Sequence, residues 1–192
     1  MAHTVDLSPA ALASIARQIG ERRSPSSLFA MAPGAALQVA ESFPIWMLGY
    51  DALQQPAGRL ATLAKDTGTL HHQINSGNQA REFARSVPAT APGGAADLQL
   101  VELSSSPTAG RVGEAVKWID EQSTGDPFVR LLLIPAYYTT AFWLELADQD
   151  QIVVVDRPPR FEGLDYRKIY TYTDFRQRLR DMPRPQGVPS PS

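Results

Sequence analysis

Cysteine is absent from this 192-residue chain, which removes disulfides, thiolate nucleophiles, Cys-ligated zinc and iron–sulfur clusters together. Histidine is scarce: the chain has three, at positions 3, 71 and 72. Lysine occurs only at 65, 117 and 168 among 18 basic residues, and this Arg- and Ala-rich usage points to a GC-rich bacterial genome. No G-x-x-x-x-G-K-[ST] or G-x-G-x-x-G loop is present to cradle a phosphate. Neither G-x-S-x-G nor S-x-x-K is present to expose a nucleophilic serine. Long apolar runs are missing too. The longest apolar, nearly uncharged stretch, 131–144, contains Pro135 and Thr139-Thr140 and is too short and polar to span a bilayer. The N-terminus lacks a basic stretch followed by an apolar one, so a secretory leader is not expected and a cytoplasmic location is. A net charge of −2 gives no global attraction to nucleic acid or to an acidic membrane.

What is present is a core. The two most apolar segments, 131–134 and 152–155, are rich in β-branched residues and separated by the polar stretch 147–151. They read as the strands of a central hairpin. Pro135 cannot donate a ladder hydrogen bond, so it is expected at a bulge or an unpaired edge. Beyond it Tyr137, Thr139, Ala141 and Trp143 share one face, and Tyr138, Thr140, Phe142 and Leu144 the other. Aromatics on both faces imply that both are covered, one by helices and one by a loop or a partner subunit.

Around this core the pattern alternates strands and helices. Ser8-Pro9 opens a helix carrying Leu12, Ile15, Ala16 and Ile19 on one face, with Gly20 as its stop. Residues 35–48 read as strand and 58–64 as a short helix. The flanks of Asn75-Ser76-Gly77-Asn78 read as a hairpin. A strand over 98–103, a helix over 111–122 and a final helix over 173–182, capped by Thr173, complete the set. The fold class is α+β, a mostly antiparallel sheet with two to three flanking helices. Residues 1–34 form an N-terminal helix and loop, 35–182 the α+β domain, and 183–192 a disordered Pro-rich tail.

Few constellations carry chemistry. His71 and His72 are adjacent, so on a strand they point to opposite faces and cannot share an ion. One is expected toward solvent and one inside. The run Ser104-Ser105-Ser106-Pro107 reads as a loop before a helix. Gly110-Arg111-Val112-Gly113 reads as a helix start where backbone N–H groups could meet an anion. Asp148 and Asp150, flanking a turn, are expected to be solvated. From 157 to 184 eight basic residues face four acids. Phe161, Tyr166, Tyr170 and Tyr172 are interleaved, a composition that could grip single-stranded nucleic acid. However, Arg176, Arg178 and Arg180 fan around a helix and form no single stripe.

Three stretches, 43–53, 129–146 and 152–179, together resemble an uncharacterised family of bacterial proteins with an IPAYxxxAFWL-type motif. Ile134-Pro135-Ala136-Tyr137 and Ala141-Phe142-Trp143-Leu144 carry that resemblance. It covers roughly 43 to 181, leaves 1–34 outside, and implies no activity.

The reading that results is a non-enzymatic binding or assembly protein with a protein partner or a homo-oligomeric state. No cofactor, metal or membrane is expected, and nucleic acid is disfavoured. The loop 24–34 is expected to make the contact through Leu28, Phe29 and Met31, because such a segment either buries its apolar side chains or offers them. The alternatives are an enzyme with a site near His71 and His72, and a nucleic-acid binder using the basic C-terminal quarter.

Overall fold

The computed structural model describes residues 3–22, 37–56, 58–76, 79–90, 96–159 and 161–183. They build eight strands and five helices: α1 (Pro9–Arg22), β1 (Leu37–Met47), α2 (Tyr50–Gln54), α3 (Leu60–Leu63), β2 (Lys65–Ser76), β3 (Gln79–Thr90), β4 (Ala96–Ser105), α4 (Pro107–Gln122), β5 (Phe128–Ile134), β6 (Thr139–Glu145), β7 (Asp150–Asp156), β8 (Ile169–Thr171) and α5 (Tyr172–Asp181). Strand order is β4-β3-β2-β1-β5-β6-β7-β8. The pair β1–β5 is parallel, and β2–β3, β3–β4, β5–β6, β6–β7 and β7–β8 are antiparallel. The protein is α+β on a mostly antiparallel sheet, and α1, α4 and α5 are its longer helices. None of the described helices is long and apolar enough to cross a membrane.

Two compact units divide the chain, one of Met1–His3, Ile45–Thr67 and Ala115–Ser192, the other of Thr4–Pro44 and Gly68–Glu114. In the first, β5, β6 and β7 bury both faces. Leu132, Ile134, Ala141, Trp143, Ile152 and Val154 join Leu53 of α2, Leu60 of α3 and Phe175 and Leu179 of α5 in one cluster. On the other face Val129, Leu131, Phe142, Leu144, Val153 and Val155 are buried as well. Each such Leu, Ile, Val or Phe side chain contributes about 1.5–3 kcal/mol through its removal from water. In the second unit Ile15 and Ile19 of α1 pack on Ile74, Ala84 and Leu100.

Local chemistry accounts for the departures from expectation. Pro135 does not sit in a strand. Pro135–Tyr137 form a 3-10 turn and Tyr138 takes the left-handed conformation (φ 47°), so the long strand becomes the β5–β6 hairpin. The central element is therefore the three-stranded meander β5-β6-β7. Ser8 caps α1 through Ala11 N–H at 3.2 Å, but Gly20 does not end the helix, which runs to Arg22. The α5 cap is Thr171, whose Oγ1 accepts from Asp174 N–H at 3.1 Å, and not Thr173. Gly110 to Gly113 lie inside α4, which starts at Pro107, so their N–H groups do not form a helix start.

Candidate functional site

In the second unit β2 places His71 opposite Arg85 and His72 opposite Ala84 of β3. Their rings leave opposite faces of the strand, as the pleat requires. Both are buried, at 2% and 0% exposure, so neither faces solvent, contrary to the sequence expectation. Each face of this strand is closed by other parts of the unit. α1 packs on the His72 side of the sheet through Ile74 and Ala84, and on the His71 side Gln73 donates to Ala109 O of α4 at 3.1 Å.

His72 stands between two buried serines. Ser42 Oγ is 2.8 Å from Nδ1 and Ser86 Oγ is 2.7 Å from Nε2. A neutral imidazole has one N–H and one lone pair, so one serine accepts and the other donates. Burial pushes the His72 pKa down to about 4. No carboxylate orients this ring, unlike the base of a hydrolase triad. His71 stacks on Phe83 at 4.9 Å and tilts against Phe43 at 6.3 Å. Neither of its nitrogens has a partner at hydrogen-bond distance and angle among the described residues. Burial first, and the Arg85 guanidinium second, push its pKa down to about 3, while the nearby Gln73 side chain pulls the other way. Arg85 itself pairs with Glu102 at 3.0 Å. Among the described residues no group of three or more His, Asp or Glu side chains is placed to hold a metal ion.

The first unit holds a polar node that the sequence reading missed. Asp150 is 6% exposed, not solvated. Its Oδ1 accepts from Trp143 Nε1 at 2.9 Å and its Oδ2 from Leu60 N–H at 2.7 Å, with Arg59 Nε at 3.1 Å. Arg59 also donates to Leu146 O and Ala147 O at 2.7 and 3.0 Å, tying the start of α3 to the β6–β7 turn. The available signal was a tryptophan seven residues before an aspartate that opens a strand. Nearby, the Arg130 guanidinium lies 4.8 Å from the Trp46 and Phe128 rings and 4.9 Å from Trp143, and pairs with Glu145 at 2.5 Å. An aromatic cage is thus filled by the chain's own cation. His3 is not frayed. It bridges Phe128, and its Nε2 lies 2.7 Å from Asp126, a hydrogen bond that lowers the Asp126 pKa.

The basic C-terminal quarter is largely engaged with its own unit. Arg176 is buried and donates to Leu53 O at 2.9 Å and to Gln55 O. Arg178 donates to Gly163 O and lies over the Tyr170 ring. Arg157 lies over Tyr166 at 5.0 Å. Leu28, Phe29 and Met31, and the tail from 184 on, lie outside the described residues.

The most exposed large apolar side chain among the described residues is Tyr138, at 68%. It stands at the β5–β6 turn, at the carboxyl end of the parallel pair β1–β5, where Tyr50 stacks on Tyr137 at 6.5 Å. A bulky residue with positive φ is an outlier, with a cost of order 1–2 kcal/mol. No single-residue pattern announces such a position. No family model, no curated protein and no solved structure matches this chain.

Proposed function

We propose that this chain is a non-enzymatic binding or assembly protein that engages a protein partner or a second copy of itself. The observation that carries the reading is Tyr138: a ring 68% exposed, held by a strained backbone at a tight turn. A tyrosine presents a large amphipathic surface with few rotors to freeze, and a fixed backbone lowers the ordering cost further. By contrast, His71, His72 and Asp150 are sealed and packed, which suits a structural role better than catalysis. Leu28, Phe29 and Met31 are proposed as a second contact, on the composition of their segment alone.

The test combines mass measurement of the purified protein with pull-down from the native host. Wild type and Tyr138→Asn are compared, since asparagine tolerates the left-handed conformation. The expected result is a defined assembly or partner whose retention falls about tenfold or more in Tyr138→Asn, with the melting temperature unchanged or raised. Leu28→Asp/Phe29→Asp should weaken it as well. A strictly monomeric protein without a partner would sink the reading and turn attention to a small-molecule site inside the fold.

A further inference from the structure

β4 is an end strand of the sheet, and such a strand offers unpaired N–H and C=O groups to any extended chain. Here four outward groups in a row are held by side chains. Leu98 N–H donates to Asp97 Oδ1 at 2.8 Å. Leu98 O accepts from Gln18 Nε2 at 2.8 Å, Leu100 N–H donates to Gln18 Oε1 at 2.9 Å, and Leu100 O accepts from Arg22 Nη2 at 2.5 Å. The Gln18 amide thus takes the place of a neighbouring strand's peptide group. That the backbone N–H and C=O groups of Leu98 and Leu100 point outward, while the Leu100 side chain is buried under α1, is consistent with the β3 register. Leu98 lies opposite Pro88, which has no N–H to give, and Leu100 lies opposite Ser86. Val101, beside them, is one of four large apolar residues left exposed among the described residues.

We propose that the outer edge of β4 is a strand-docking surface for β4 of a second copy, closed in the monomer by Gln18 and Arg22 of α1. Antiparallel pairing about a two-fold axis at Gln99 sets Leu98 against Leu100 of the second copy, and Leu100 against its Leu98. In that register the four groups now held by side chains pair with the same four groups across the axis. It also sets Asp97 opposite Val101, so no like charges face one another. The surface is separate from the Tyr138 contact and does not depend on it.

The experiment compares full-length wild type, Gln18→Ala/Arg22→Ala and Arg17→Ala/Glu21→Ala by sedimentation and by amide exchange. Arg17 and Glu21 pair on the solvent face of α1, which makes their double variant the control. Gln18→Ala/Arg22→Ala is expected to dimerise with concentration. At low concentration its Leu100 amide should exchange about tenfold faster or more. Adding Leu98→Pro should abolish the dimer, because it removes an outward N–H and leaves the β3 ladder intact. If Gln18→Ala/Arg22→Ala shows faster Leu100 exchange, keeps its β3–β4 protection and stays monomeric, the proposal is overturned. Dimerisation that survives Leu98→Pro, or that the Arg17→Ala/Glu21→Ala control shows equally, overturns it too.

Discussion

Two buried polar side chains in the first unit show how differently such groups bear on stability. Asp150 uses both oxygens, on Trp143 Nε1 and on Leu60 N–H and Arg59. Asp150→Ala leaves two buried donors without partners, and a cost of about 2–4 kcal/mol is expected in urea unfolding. Tyr172 is also buried, but its hydroxyl has no partner among the described residues, and burial pushes its pKa up. Removing an unsatisfied hydroxyl while keeping the ring relieves a desolvation penalty, so Tyr172→Phe should raise stability by about 0.5–1.5 kcal/mol. A destabilised Tyr172→Phe, or an Asp150→Ala within 0.5 kcal/mol of wild type, would contradict this account. Neither role could be read from sequence. Satisfaction of a buried group depends on partners far along the chain, as with Asp150 and Leu60.

Elements were more legible than residues, because hydrophobic period and turn chemistry are local. The β2–β3 hairpin follows from strand-like flanks around Asn75-Ser76-Gly77-Asn78, and α1 from Ser8-Pro9 and its stripe. Boundaries failed where tertiary packing overrode local preference. The cap is Thr171 and not Thr173: Tyr172, whose ring joins the core, is already the first residue of the helix. The missing N–H of Pro135 suggests a bulge or an unpaired edge within one strand; in the structure Pro135, with Tyr138, makes the turn between two. The α5 cap offers a direct check of the structural boundary. Thr171→Ala removes the acceptor for Asp174 N–H and should cost about 1 kcal/mol, while Thr173→Ala should change stability by less than about 0.5 kcal/mol. Equal effects at the two threonines in thermal melts would place the cap elsewhere.

At the scale of the whole molecule, the units differ in one titratable feature. Both buried histidines, His71 and His72, belong to the second unit, whereas His3 in the first is exposed. Their pKa values in the folded state, about 3 and about 4, lie below the ordinary value of 6.5. As pH falls below 6.5 the unfolded chain takes up protons that the folded chain refuses, so stability is lost with falling pH. The loss begins near pH 6.5 and continues until the folded rings themselves protonate near pH 3 to 4. At pH 5 it amounts to about 2 kcal/mol per histidine, before the carboxylates begin to titrate in numbers. Acid should therefore loosen the second unit first. Amide exchange at pH 5, corrected for intrinsic rates, is expected to show β2, β3 and β4 losing protection relative to pH 7 while β5, β6 and β7 keep theirs. His71→Phe, which keeps a ring beside Phe83, should flatten that pH dependence in the second unit and leave the first unchanged. Equal loss in both units would mean that the histidines do not set the acid response, and a pH dependence unaltered by His71→Phe would place it on His72 alone, between Ser42 and Ser86.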